Sequence, residues 1–166
     1  MDSRNTLLFR KGTGPVVNSY TRWSIGCCKV PFNVGGKTKD VAKRSWHDEH
    51  GEDSYIPSSL MFDAYDAEFE LACVVNGDGM SMSKAFEKID SFKKWLSGNE
   101  DGGGAELKIY SPYSGIGRQG CYLLDINNEE PCLQLKQSRG NIYHENVLTF
   151  RVSFRITDPM TNITLY

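Results

Sequence analysis

The chain has 166 residues, 39% of them hydrophobic and 24% charged, and a net charge of −2. That length suits one domain with a substantial core. The even charge balance offers no broad positive field to hold nucleic acid or an acidic membrane surface. No run approaches the roughly 18 apolar residues of a membrane-spanning helix, so no membrane insertion is expected. The N-terminus MDSRNTLLFRKG has a short apolar stretch and an early Asp2, which does not fit a signal peptide. Synthesis in the cytosol of the producing cell is the expectation. Five cysteines (Cys27, Cys28, Cys73, Cys121 and Cys132) stand at irregular spacing without a CxxC pair. They read as reduced, mostly buried thiols instead of a disulfide framework or zinc site.

In chain order, residues 5–10 (NTLLFR) predict a short first strand, ended by Thr13-Gly14-Pro15. Thr21 to Val30 is rich in β-formers and predicts a strand with Trp23, Ile25 and Cys27 on one face. From about 31 to 59 the sequence has no sustained period, several Gly and Pro, and dense charge of both signs. So long an unpatterned stretch usually marks a functional or partner-ordered loop. A two-stranded arm with polar faces also fits. This segment is the expected place of inter-subunit contact, with Lys37, Lys39, Trp46, His47 and Tyr55 as candidate contact residues. Trp46, an aromatic among charges and glycines, is the natural anchor.

Leu60 to Asn76 returns to strand character, with Phe69, Leu71, Cys73 and Val75 alternating against Glu68, Glu70, Ala72 and Val74. Asn76-Gly77-Asp78-Gly79 closes it. The one amphipathic helix is predicted from about Lys84 to Leu96, capped by Ser83 and stopped by Gly98. Ala85, Phe86, Ile89, Phe92 and Leu96 form its apolar stripe, and Trp95 braces its end. Strands then follow at Ala105–Ser111, Gly120–Ile126, Cys132–Lys136 and Glu145–Thr157, with a short terminal strand at Ile163–Tyr166. In the last long strand Leu148, Phe150, Val152, Phe154 and Ile156 share the core face. The fold class is therefore α+β and β-rich: one domain over 1–166, an antiparallel β-sandwich or barrel-like sheet with one amphipathic helix packed on it.

Motifs that invite catalytic readings fail on context. Gly115-Ile-Gly117-Arg-Gln-Gly120 matches GxGxxG, but a dinucleotide site needs a helix to follow. Here CYLLDI follows, a strand, so a β-turn is the better account. Gly36-Lys37-Thr38 resembles the end of a phosphate-binding loop, yet Pro31 stands where its first glycine belongs. His47 and His50, with Asp48, Glu49, Glu52 and Asp53, are the nearest approach to a metal cluster. No helix orients them and no third ligand is set by spacing, so a solvated acidic turn is the reading. His144, the third histidine, sits beside a strand start and in no nucleophile context. No catalytic, cofactor-binding or metal-binding residue is assigned, and no enzyme is expected.

An ordered set of segments resembles the tail structural proteins of tailed bacteriophages and their prophages. WHDEHGEDSYIP (Trp46 to Pro57) precedes FDAYDAEFEL (Phe62 to Leu71), and a helix ends in FKKWLSG (Phe92 to Gly98). ELKIYSPYSGIGRQGCYLLDI (Glu106 to Ile126) and VLTFRVSFRITDP (Val147 to Pro159) complete the set. The order is similar to the sandwich-plus-helix domain of tail tube and distal tail proteins, and covers roughly Trp46 to Pro159. The first 45 residues carry no feature of that family. The resemblance implies a homo-oligomeric ring around the tail lumen, contacts with other tail proteins, DNA only as passing cargo, no cofactor, and a place in the virion. Long alternating strands with exposed edges, a liability in a monomer, suit such a ring. The charged strand face with Glu68 and Glu70 would line the lumen. The rival class is a small monomeric β-sandwich module binding carbohydrate or peptide, which predicts a concave aromatic cluster.

Overall fold

The structure, a computed structural model, describes residues 6–29, 32, 34–75, 82–100, 102–138 and 141–166. For Val75, 132–138 and 141–146 it describes the backbone alone. The turn expected at Asn76 to Gly79 lies outside the described residues, as does the side chain of His144.

The strictest two-residue alternation in the chain builds the middle of the sheet. A strand from Asn141 to Ile156 (β9) lies between Tyr65–Val75 (β6) and Ile116–Ser138 (β8), antiparallel to both. Leu148, Phe150, Val152, Phe154 and Ile156 are all buried on one side, as the pleat dictates for alternate residues. In β6 the matching face is Phe69, Leu71 and Cys73. Short strands extend the sheet: Leu8–Arg10 (β1), Val17–Asn18 (β2), Ile25–Lys29 (β3) and Leu107–Ser111 (β7). The full order is β2-β1-β7-β8-β9-β6-β3, every pair antiparallel.

A helix from Met82 to Leu96 (α2) packs on the buried face. Ala85, Ile89, Phe92 and Leu96 recur at three- and four-residue steps and are buried, as is Trp95. Phe92 meets Phe9 edge-on at 5.7 Å between ring centroids and Phe150 at 6.4 Å. Phe9 also meets Phe154 at 6.2 Å. Strands β1 and β9 are three places apart, about 14 Å in a flat sheet. Their rings meet because the sheet curls around the helix. The result is the α+β, β-rich, sandwich-like fold the alternation predicts.

Four local expectations are corrected. Ser19–Trp23 is a helical turn (α1), not the start of a strand. Asn18 caps it, its side-chain oxygen accepting from the amides of Tyr20 (2.9 Å) and Thr21 (3.2 Å), and Ser24 ends it at φ 58°. The strands expected at Gly120–Ile126 and Cys132–Lys136 are one 23-residue strand, β8. Register shifts between Leu123 and Asp125 and between Asn127 and Glu130 break its alternation, with Asn128 at φ 54°. Residues 163–166 form no strand, although Leu165 is buried and the Ile163 amide donates to Gly117 O at 3.2 Å.

The fourth concerns Phe86, expected in the helix stripe but 44% exposed. Phe86 and Trp95 stand on opposite margins of the stripe, since each residue turns about 100°. On Trp95's side α1 and β1 close over the helix, with Trp23 at 5.4 Å and Phe9 at 6.2 Å. No described element closes the other flank. Ser83 lies in the first turn of α2 instead of capping it, a shift within the usual scatter of helix ends.

Candidate assembly surfaces

Between β3 and β6 the chain leaves the body as a two-stranded ribbon. Lys43–Arg44 (β4) pairs antiparallel with Asp53–Ser54 (β5). Below them the Tyr55 amide donates to Ala42 O (2.9 Å), and the Lys39 amide to Met61 O (2.7 Å). The Asp63 amide donates to Lys37 O (2.8 Å), and Thr38 bridges Phe62. The ribbon thus runs from the Gly36–Phe62 contact at its base to a turn at His47 and Asp48. An isolated two-stranded ribbon is marginal in water.

All five candidate contact residues stand on this ribbon, and all are exposed: Lys37, Lys39, Trp46, His47 and Tyr55. Trp46 is held locally, its indole N–H donating to Asp53 Oδ2 at 3.3 Å and the Arg44 guanidinium 4.9 Å from its ring centroid. The sequence reading missed the ribbon's aliphatic component. Ile56 (76% exposed) and Met61 (64%) stand beside Tyr55 (76%). Val41, Ala42, Tyr55, Pro57, Leu60 and Met61 line an open groove of about 360 Å³ with Lys39 at its rim. The signal was three apolar residues, Ile56, Leu60 and Met61, within a stretch otherwise rich in Pro and Ser. His47 and His50 lie exposed at the tip. No group of three or more metal-ligating side chains gathers among the described residues.

A second surface is the free side of β8. Strand β7 pairs with β8 only as far as Cys121. From Tyr122 to Ser138 the outer edge of β8 has no strand partner among the described residues, which explains how Pro131 is accommodated there. Beyond the Val75–Asn146 pair, β8 and β9 continue as a hairpin extension with no further strand beside them among the described residues. Tyr122 and Leu124 are exposed, followed by exposed Asp125, Glu129 and Glu130.

The third surface is the sheet face turned away from the helix. Arg155 holds Asp66 at 2.8 Å, and Arg151 reaches Glu68 at 3.5 Å and Glu70 at 3.6 Å. The adjacent Asp66 carboxylate pushes the Arg155 guanidinium's pKa up. Exposed pairs of this kind are worth about 0–1 kcal/mol each. Their consequence is the pattern of charge: three carboxylates against two guanidiniums in an ordered ladder across β6 and β9.

The GxGxxG segment has a structural explanation at each glycine. Gly115, at φ 68°, closes the turn between β7 and β8, and a strand follows where a dinucleotide site would need a helix. A Cβ on Gly117 would collide with Ile163 O, and the Gly117 amide donates to Asn162 Oδ1 at 2.8 Å. Gly120, at φ 62°, accepts from the Thr157 hydroxyl at 2.7 Å. These glycines dock the C-terminal segment. Cys27 and Cys121 are buried thiols pushed up to about 12 by desolvation, and burial raises Cys73 as well. Among the described cysteine side chains Cys28 alone is exposed, its pKa also raised, first by desolvation and then by Glu70.

Phe9, Trp23, Phe69, Phe92, Trp95, Phe150 and Phe154 gather in one core, while Trp46, Tyr55, Phe86, Tyr113, Tyr122 and Tyr166 are exposed. No described helix is long and apolar enough to cross a membrane.

The fold is thus a curled antiparallel sheet with one main helix on its buried face, a projecting ribbon and, among the described residues, a long edge of β8 without a strand partner. The chain is similar in structure to SPP1 Dit (gp 19.1), a protein described as a paradigm of the hub adsorption apparatus in Gram-positive-infecting phages. The match has a TM-score of 0.52 at 13% identity and takes in 92% of this chain. It spans 50% of the Dit chain. No family model matches the sequence, and no curated protein does.

Proposed function

We propose that the chain is a structural, non-catalytic subunit of a bacteriophage or prophage-derived tail. It self-assembles into a ring around the tail lumen, as a tube, adaptor or distal tail component, and meets other tail proteins above or below. The observation that carries this reading is the unfinished sheet. In a fold like that of a tail hub protein, β8 leaves an edge open from Tyr122 onward and β3 ends the other side, among the described residues. Such edges invite pairing with another chain, and in a closed ring each edge meets a different patch of the next copy.

The ladder of Asp66, Glu68 and Glu70 with Arg151 and Arg155 faces the lumen in this arrangement. Its guanidiniums are held by carboxylates and the balance is slightly acidic, so passing DNA is repelled more than it is bound. The protein works without a cofactor and resides in the virion.

The mass of the purified protein by light scattering over a concentration series tests the reading, with electron microscopy of any assembled species. Closed rings or stacked rings bear it out. A strict monomer that retains glycans or peptides in ligand screens replaces it with the binding module.

A further inference from the structure

We propose that the ribbons of neighbouring copies pair side by side, the acidic return strand of one along the cationic outgoing strand of the next. The contact rests on the ring reading and deepens it.

The ribbon is divided by charge along its length. The outgoing residues 36–46 carry Lys37, Lys39, Lys43 and Arg44 against one carboxylate, Asp40. The return residues 47–63 carry Asp48, Glu49, Glu52, Asp53 and Asp63 and no lysine or arginine. The division holds level by level. Arg44 stands opposite Asp53, with Lys43 and Glu52 beside them, and Lys37 stands opposite Asp63 at the base. Asp40 falls between the Lys39–Met61 and Ala42–Tyr55 hydrogen bonds, opposite residues 56–60, which bear no charge.

Contacts inside the copy leave most of this charge in water. Lys43 and Glu52 pair at 3.6 Å and both stay exposed. Arg44 lies over the Trp46 ring, Asp53 accepts from its indole N–H, and Asp63 also acts on Arg155. The backbone is incomplete too. The ribbon is a sheet of two strands, and neither outer edge has a strand partner among the described residues. Two strands alone are marginal in water, and an adjoining ribbon supplies the missing strand.

Direction and charge both select a head-to-tail contact. Copies related by rotation about a ring axis present their ribbons in the same sense. The return strand of one then meets the outgoing strand of the next, continuing the antiparallel order within each ribbon. A two-fold contact joins like strands instead. It sets Lys43 and Arg44 against the same residues of the second copy, or Glu52 and Asp53 against theirs, and like charges repel.

Cross-linking between mixed copies tests it. In a Cys28→Ser, Cys132→Ser background, Lys43→Cys and Ser54→Cys are made in separate chains and treated with a short bismaleimide. Assembled together, they give a covalent dimer on a denaturing gel, whereas each alone stays monomeric. A dimer from either variant alone joins like strands and overturns the contact. Charge gives a second readout. Lys43→Glu with Arg44→Glu, and separately Glu52→Lys with Asp53→Lys, each weaken assembly about ten-fold or more by light scattering. An equimolar mixture of the two assembles again, and a mixture that stays dissociated overturns the contact. Rings that form without the mixed cross-link overturn it as well and leave the ring reading standing, with the ribbon free for another tail protein. A wild type that never leaves the monomer overturns the ring reading and the contact together.

Discussion

The ammonium of Lys11 donates to the main-chain carbonyl of Trp95, 84 residues away, and lies 4.4 Å from the centroid of that residue's indole ring. The contact ties the loop after β1 to the C-terminal end of α2, where exposed carbonyls favour a cation. Lys11 is only 7% exposed, so its charge is held by the helix end and the ring instead of by water. Replacing Lys11 with Met removes a charge-assisted hydrogen bond and a cation–π contact while keeping much of the stem's packing. The expected cost is about 2 kcal/mol, read as a lower denaturant midpoint with unchanged slope.

Gly117 tests how the C-terminal segment is held. A methyl there collides with Ile163 O, so Gly117→Ala is expected to lift residues 158–165 from the start of β8 and cost about 1–3 kcal/mol. Gly102→Ala is the control: nothing lies within 4 Å of its Cβ, and only the strain at φ 65° remains, about 1 kcal/mol. Thermal melts of the two variants should rank in that order.

Asp158 fixes the same segment and gives it a pH dependence. Oδ2 accepts from the Gln119 amide at 2.9 Å, and Oδ1 from the amides of Met160 (3.1 Å) and Thr161 (3.0 Å). The Gln119 bond first, then the Thr161 bonds, lower its pKa from 3.8 to about 2. A depressed carboxylate stabilises the fold fully above its unfolded value, and that contribution disappears as pH falls through the folded one. The wild type should therefore lose stability between about pH 4 and pH 2 through this group. Asp158→Ala should be less stable than wild type at pH 7, with the gap narrowing across that window in an acid titration followed by circular dichroism.

Thiol reactivity separates the cysteines. Cys27, Cys73 and Cys121 are buried and so shielded from a reagent in solution, whereas Cys28 is exposed. In a Cys132→Ser background, one thiol should react with a disulfide reagent in the native protein, and Cys28→Ser should abolish that reaction. The other three should appear only after denaturation.

Trp46 reports on assembly. Trp23 and Trp95 are buried, so the exposed Trp46 indole is the one that a ribbon contact would cover. Protein concentrations that raise the oligomer mass should shift the emission to shorter wavelength, and Trp46→Phe should remove the shift. An oligomer forming with no change in emission would place the interface away from the ribbon.

The sequence by itself determined the elements whose side chains alternate or recur regularly. Leu148 to Ile156 could face a core only as a strand, and Ala85, Ile89, Phe92 and Leu96 only as a helix. The run of Lys37, Lys39, Trp46, His47 and Tyr55 marked a projecting segment because it offers no apolar face that the chain's own core could bury. Tertiary structure decided what periodicity does not encode. It merged two apparent strands into β8, since bulges at Leu124 and Asn128 shift register without ending the hydrogen-bonded ladder to β9. It buried Trp95 and left Phe86 in water, two residues at equivalent margins of one stripe, because α1 and β1 close over one flank of the helix. It also opened the β8 edge, which depends on where β7 stops at Cys121. Periodicity is a property of one segment, whereas coverage and edge exposure are set by which distant segments arrive beside it.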